Sequence, residues 1–190
     1  MKYLLIGNFR SGSWCLHNKL VKENNLYTFK EIFYGKEDNV DDKLQDFSSR
    51  ENCIAKIFPV QFKSKDENIL RICSKFCKIA DKIIYTQRKN TKEQVVSYAV
   101  ASLQNNSLDS TPWLQDRSVY EDKLSDETLE KAFKRLEKND QFIQKLFDIF
   151  PGKVYTLEKD FEFEPYPNKY EYSGNWQIPY EFKMLGENNA

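Results

Sequence analysis

Arg10, Ser11, Gly12 and Ser13 stand together in the stretch Gly7-Asn8-Phe9-Arg10-Ser11-Gly12-Ser13-Trp14, bracketed by two glycines. A cation, two hydroxyls and successive backbone N–H groups in so short a turn are what gripping a phosphate or sulfate requires. The glycines permit torsions and a close backbone approach that a Cβ would obstruct. Gly7, four residues, Gly12 and then Ser13 is nearly the loop that cradles nucleoside triphosphates. That loop needs a lysine between its second glycine and the hydroxyl, reaching the β- and γ-phosphates. Here nothing stands between Gly12 and Ser13, and the cation is Arg10, inside the loop. The pattern disfavours an ordinary ATPase or nucleotide kinase and favours a different phosphate-bearing donor. A plain strand–turn–helix corner with a surface arginine would show the same glycines.

A second anion site is carried by Arg88 and Ser97, within Gln87-Arg88-Lys89-Asn90-Thr91-Lys92-Glu93-Gln94-Val95-Val96-Ser97-Tyr98. If the helix bearing Ser97 lies across the same rim, the guanidinium fork and the hydroxyl can converge on one phosphate. Residues 71–92 hold seven cations against Asp81, a local +6, in a chain of zero formal net charge. Residues 157–171 lean the other way, with Glu158, Asp160, Glu162, Glu164 and Glu171 against two lysines. A basic segment on a neutral protein suits one small polyanion better than a long one, so neither nucleic acid nor membrane is an expected partner.

These residues must be positioned by a scaffold, and the hydrophobic pattern supplies it. Tyr3-Leu4-Leu5-Ile6 reads as a short buried strand running into the loop, and Ser13 to about Glu23 as the helix after it. Residues 24–50 are mixed, aromatic at 27–34 and loop-like from Gly35 to Asp42. Asn52 to Phe58 reads as a strand ended by Pro59. Ser64-Lys65-Asp66-Glu67 has a capping-box form and opens a helix to about Ala80. Lys82 to Thr86 is a third strand. Thr91-Lys92-Glu93-Gln94 repeats the capping box and starts a helix to about Leu103. A polar stretch follows from Gln104 to Asp116, then a long helix from about Asp126 to Phe150, and a last strand from Lys153 to Leu157. The expected fold is one three-layer α/β domain over 1–190. It is built on a P-loop-like parallel sheet of four to five strands with helices on both faces, and 161–190 is irregular. Ligands in such sheets bind outside the strand C-termini. That rule puts the 7–13 loop, Lys56 and the 87–91 loop on one rim.

Fourteen Phe and eleven Tyr point to an aromatic core more than to ligand platforms. Four cysteines form no CxxC pair and His17 is the single histidine, so no metal site is expected. The N-terminus lacks the pattern of a signal peptide, and no run reaches transmembrane length; a cytoplasmic protein with free thiols is expected.

Arg-Ser-Gly-Ser at 10–13 after the first strand, with Arg88-Lys89-Asn90 and Val95-Val96-Ser97-Tyr98 after a later one, resembles the phosphosulfate-binding and 3′-phosphate-binding motifs of sulfotransferases. The likeness is to the bacterial branch and spans about residues 1–160; Val154-Tyr155-Thr156-Leu157-Glu158 is similar to a late strand of that family. The resemblance implies transfer of a sulfuryl group from 3′-phosphoadenosine 5′-phosphosulfate (PAPS) to a hydroxyl or amine of a small-molecule or glycan acceptor. It also implies no obligatory metal. Arg10, Ser11, Gly12 and Ser13 would hold the 5′-phosphosulfate, with Arg10 offsetting charge on the bridging oxygen. Arg88 and Ser97 would hold the 3′-phosphate. Trp14 lies one place before an aromatic that another branch stacks on adenine, and core packing is its alternative use.

By the same resemblance the general base is a glutamate after the first helix, and Glu31 in Glu31-Ile32-Phe33 fits that place. Read as a residue alone it is equally a solvated loop acid. Lys56, ending a strand on the ligand rim, can steady sulfate oxygens or simply snorkel at the edge. His17 falls inside the first helix and reads as structural. Ser173-Gly174-Asn175-Trp176 faintly resembles the family's late donor loop. The reading from another class is a P-loop-like domain that binds a nucleotide or a protein without turnover.

Overall fold

A computed structural model describes residues 1–31, 40–59, 66–106, 124–160 and 175–186. Ser64 of the first capping box, the 32–34 part of the aromatic stretch, and Ser173 and Gly174 lie outside the described residues. So do residues 161–172 and 187–190 of the C-terminal segment.

Five parallel strands form the sheet: β1 (Lys2–Gly7), β2 (Tyr27–Glu31), β3 (Cys53–Ile57), β4 (Lys82–Gln87) and β5 (Lys153–Thr156). Their order is β2-β3-β1-β4-β5, so β1 is central, with Leu4 opposite Ala55 on one side and Ile83 on the other. Alternation along β1 separates the two faces. Tyr3 and Leu5 pack with Leu16 and Leu20 of α1 (Ser13–Asn24). Leu4 and Ile6 pack with Phe47 of α2 (Val40–Ser49), with Ile72 and Phe76 of α3 (Asp66–Ile79), and with Phe142 and Leu146 of α5 (Asp126–Ile149). Helices therefore cover both faces, the three-layer P-loop-like arrangement that the pattern predicts.

The long stripe on α5 serves two neighbours. Its second half lies on the sheet, while Leu129, Phe133 and Leu136 pack against Val95, Val96 and Ala99 of α4 (Thr91–Asn106). A four-residue α6 (Leu157–Asp160) follows β5, where the sequence reading carries the strand on through Leu157. Residues 176–185 run back over this packing, with Trp176, Phe182 and Leu185 buried.

Further expectations change in the structure. β2 and α2 lie within the stretch read as mixed, and α2 starts inside the part read as a loop. The polar stretch expected from Gln104 instead begins as the end of α4, which runs to Asn106. The second capping box is displaced by one residue: Asn90 Oδ1 accepts from the Glu93 amide (3.0 Å), so Asn90 is the cap. Thr91 Oγ1 instead accepts from the Phe182 amide (3.0 Å), and Gln94 donates to the Phe9 carbonyl (2.7 Å). Thr91 thus anchors the returning segment, and Gln94 anchors the loop after β1. Asn90→Ala is expected to lower the unfolding free energy by about 1 kcal/mol; a urea melt with an unchanged midpoint would refute that cap.

Candidate functional site

The loop between β1 and α1 emerges at the C-terminal edge of the central strand, where the chain leaves for opposite sides of the sheet. Ligands gather at such a switch point. Arg10 has φ 61° and Gly12 φ 82°, while Ser11 is not among the positive-φ residues and Ser13 begins α1. Alternating backbone hands over four residues have the geometry of an anion nest, with the Ser11 amide turned back onto the Asn8 carbonyl (3.4 Å). The N-terminus of α1 adds its positive end. Gly12 is favoured by its left-handed torsion, and a Cβ there would stand 2.5 Å from Leu157 Cδ1, so that side chain would have to shift.

Buried hydrogen bonds hold this loop from beneath. Asn8 Nδ2 donates to the Leu136 carbonyl of α5 (2.9 Å), and Asn8 Oδ1 accepts from the Phe9 amide (2.9 Å) and from Asn139 Nδ2 (2.8 Å). Asn139 is 0% exposed and also donates to the Gly7 carbonyl (3.4 Å). Ser11 Oγ donates to the Asn8 carbonyl (2.6 Å) and lies 2.8 Å from Thr86 Oγ1 of β4. Its single proton is thereby used, so Thr86 donates in that pair. Gly7 leaves room for Thr86, whose hydroxyl a Cβ would strike.

Arg10 reaches across to α4, where its Nε donates to Ser97 Oγ (2.8 Å). The two sequence motifs therefore meet side chain to side chain. This differs from the expected pairing of Ser97 with Arg88 on one phosphate. Arg88 is engaged by carboxylates: Glu93 holds Nη2, and Glu158 of α6 lies 3.4 Å from Nε. Glu158 also accepts from the amides of Lys89 (2.8 Å) and Asn90 (3.2 Å), and Glu181 accepts from that of Thr91 (3.0 Å).

The remaining candidates fall into place around the loop. Trp14 is 57% exposed, which corrects the core-packing use. It begins the solvent side of α1, whose buried positions are Ser13, Leu16, His17 and Leu20. Ser13 is buried as the first residue of α1. Lys56 is only 5% exposed, with Nζ 5.1 Å from the Phe58 ring centroid, a buried position where an edge residue reaching for water was one option. An irregularity between Thr28 and Glu31 brings the Glu31 backbone level with Lys56, so the proposed base and the rim lysine share one register position. His17 Nε2 lies 2.9 Å from Thr28 Oγ1, joining α1 to β2 behind the loop, a structural place.

Behind the loop lies a cavity of about 10 Å³, room for one water. Asn8, Gln87, Arg88, Gln94 and Asp140 are among its lining residues. Burial pushes the Asp140 carboxyl up to about 7, and a hydrogen bond with Gln144 pulls back against that shift. The sequence gives one sign of these internal residues: Asn139 and Asp140 interrupt an apolar helix stripe. Among the described residues, no three His, Cys, Asp or Glu cluster as metal ligands, and no helix is long and apolar enough to cross a membrane.

No protein-family model and no curated protein matches the sequence. Two solved structures resemble it in shape. One is shikimate kinase from Bacteroides thetaiotaomicron, 11% identical over 82% of this chain and 85% of that one, with a TM-score of 0.46. The other is the YorR protein of Bacillus subtilis in complex with phosphorylated GDP, 12% identical over 82% and 84%, with a TM-score of 0.40. Likenesses this distant carry no argument about chemistry. The strand order and the loop geometry do that here.

Asp140 binds its proton more tightly in the folded chain than in the unfolded one, so its contribution favours folding at low pH. That contribution is lost as pH rises from about 4 to about 7. Asp140→Asn should remove this component, and pH-resolved urea melts with parallel wild-type and variant curves would count against it. Asn139→Ala is expected to cost about 1–3 kcal/mol by stripping a buried partner from the loop, read by the same melts.

Proposed function

We propose that the chain is a sulfotransferase. It moves a sulfuryl group from PAPS to a hydroxyl or amine of a small-molecule or glycan acceptor by in-line displacement. The observation that carries this reading is the 2.8 Å bond from Arg10 to Ser97. It joins the loop after β1 to the helix after β4, the two motifs whose combination suggested the donor. A nest without a Walker lysine supports it further. A triphosphate cradle depends on that lysine, whereas a phosphosulfate needs backbone donors and a cation near the bridging oxygen.

On this reading the backbone N–H groups of Gly12, Ser13 and Trp14 receive the 5′-phosphosulfate. Ser11 itself is committed to Asn8 and Thr86 and shapes the loop. Ser97 orients the Arg10 guanidinium so that it meets negative charge growing on the bridging oxygen. The acceptor oxygen bonds to sulfur as the bond from sulfur to the bridging oxygen breaks, releasing adenosine 3′,5′-bisphosphate. The acceptor proton passes to Glu31, level with Lys56, whose ammonium steadies the sulfate oxygens. Trp14, exposed at the start of α1, would meet the adenine.

One observation favours a second reading, a P-loop-like domain that binds a nucleotide or a partner protein without turnover. Arg88 is already matched by two carboxylates, so the second phosphate has a competitor.

Calorimetry separates the two. The sulfotransferase reading expects adenosine 3′,5′-bisphosphate to bind without Mg²⁺ and more tightly than ATP with Mg²⁺. Arg10→Ala is expected to lower the transfer rate by about 100-fold while leaving most of the bisphosphate affinity. Absence of both bisphosphate binding and transfer to any of a panel of phenols, sugars and amines would falsify it.

A further inference from the structure

Leu157 and Glu158, at the head of α6, touch both anion sites at once. Leu157 lies against Gly12 of the phosphate loop. Glu158 lies on the Arg88 side, accepting from the Lys89 and Asn90 amides and standing 3.4 Å from the guanidinium Nε. Consecutive Cα atoms are only about 3.8 Å apart, so neighbouring side chains span the distance between the two sites. One small molecule with an anionic group at either end can span it too.

The second site is built as an anion cradle and filled by the chain itself. Amides 89 and 90 donate to Glu158, amide 91 donates to Glu181, and Arg88 lies between Glu93 and Glu158. The filling is incomplete. Arg88 Nε is buried and makes no hydrogen bond among the described residues, although Glu158 is within ion-pair reach. A phosphate has three oxygens to offer where a carboxylate has two. The two cannot share the cradle, because like charges on the same donors repel. Glu158 has a way out, since its side chain is 35% exposed and can turn to water without opening the core.

The geometry points to α6 as a displaceable plug. Glu158 stands in for the 3′-phosphate of the donor, and the adenylate binds only as that carboxylate leaves. This rests on the sulfotransferase reading of the site and adds its regulation: affinity for the donor is held down by an internal competitor. It also gives a role to Glu158, a residue that the transfer chemistry leaves unused.

Glu158→Gln tests the plug, because glutamine removes the charge and keeps only one of the two oxygens that now accept from the Lys89 and Asn90 amides. Adenosine 3′,5′-bisphosphate and adenosine 5′-monophosphate are titrated into the wild type and the variant at one fixed ionic strength. The plug predicts that the variant binds the bisphosphate roughly three- to tenfold more tightly, the scale of one partly exposed charge interaction. Affinity for the monophosphate, which has nothing to place on Arg88, is expected to stay the same. If the wild type prefers the bisphosphate but the variant binds it equally or more weakly, the plug is overturned and the reading of the site survives. If neither protein prefers the bisphosphate to the monophosphate, both fall.

Discussion

Two buried amides keep the loop after β1 in shape, and the rest of the site depends on them. Arg10 sits in a left-handed backbone conformation that costs a non-glycine residue about 1–2 kcal/mol, so surrounding structure must impose it. Asn8 and Asn139 do so by tying the turn to the α5 backbone and to each other, with Leu136, Gly7 and Phe9 supplying the other partners. Ser11 and Thr86 tie it to β4, and Gln94 ties it to α4. The loop is thus held from three elements beneath and beside it, and its own Phe9 and Ser11 amides turn back onto Asn8. A nest built this way is organised before any anion arrives, which is the condition for electrostatic stabilisation without reorganisation.

The distribution of charge follows from the same packing. In a chain of zero net charge, the basic run from Arg71 to Lys92 meets the acid that opens α6 at one point, where Arg88 faces Glu158. β4 and β5 are hydrogen-bonded neighbours, so the residues leaving their C-terminal ends, Arg88 and Glu158, emerge side by side. The segment at 176–185 adds Glu181 to the same rim and seals the adjoining cavity with Phe182 and Leu185. The second site therefore presents itself as a matched ion cluster. The first presents backbone donors and an arginine turned toward α4.

Much of this was legible in the sequence, for identifiable reasons. β1, β3 and β4 are short apolar runs buried on both faces, and α3 and α5 carry clear stripes, so the three-layer fold could be read directly. β2 was hidden because it is an edge strand with Tyr27 exposed and Thr28 and Phe29 only half-buried, and it carries an irregularity before Glu31. α2 was hidden because its stripe, Val40, Leu44 and Phe47, starts inside a polar stretch that resembles a loop. The cap at Asn90 was off by one because Thr91 and Gln94 satisfy the capping-box pattern while serving the tertiary fold. The support from Asn139 could not be read, since 131 residues separate it from Asn8 and only an amide inside an apolar stripe hints at it. Trp14 was misjudged because a helix's first turn gives no periodicity from which to infer its exposed side.

The central claim is that one adenylate lies across both anion sites, its ends held by loops from different strands. A crystal structure of the chain with adenosine 3′,5′-bisphosphate tests it most directly. The account predicts the 5′-phosphate within hydrogen-bond distance of the Gly12 to Trp14 amides, and the 3′-phosphate against Arg88 and the Lys89 and Asn90 amides, with Glu158 turned away. A bisphosphate bound elsewhere, with the nest empty and Glu158 still on Arg88, would contradict it.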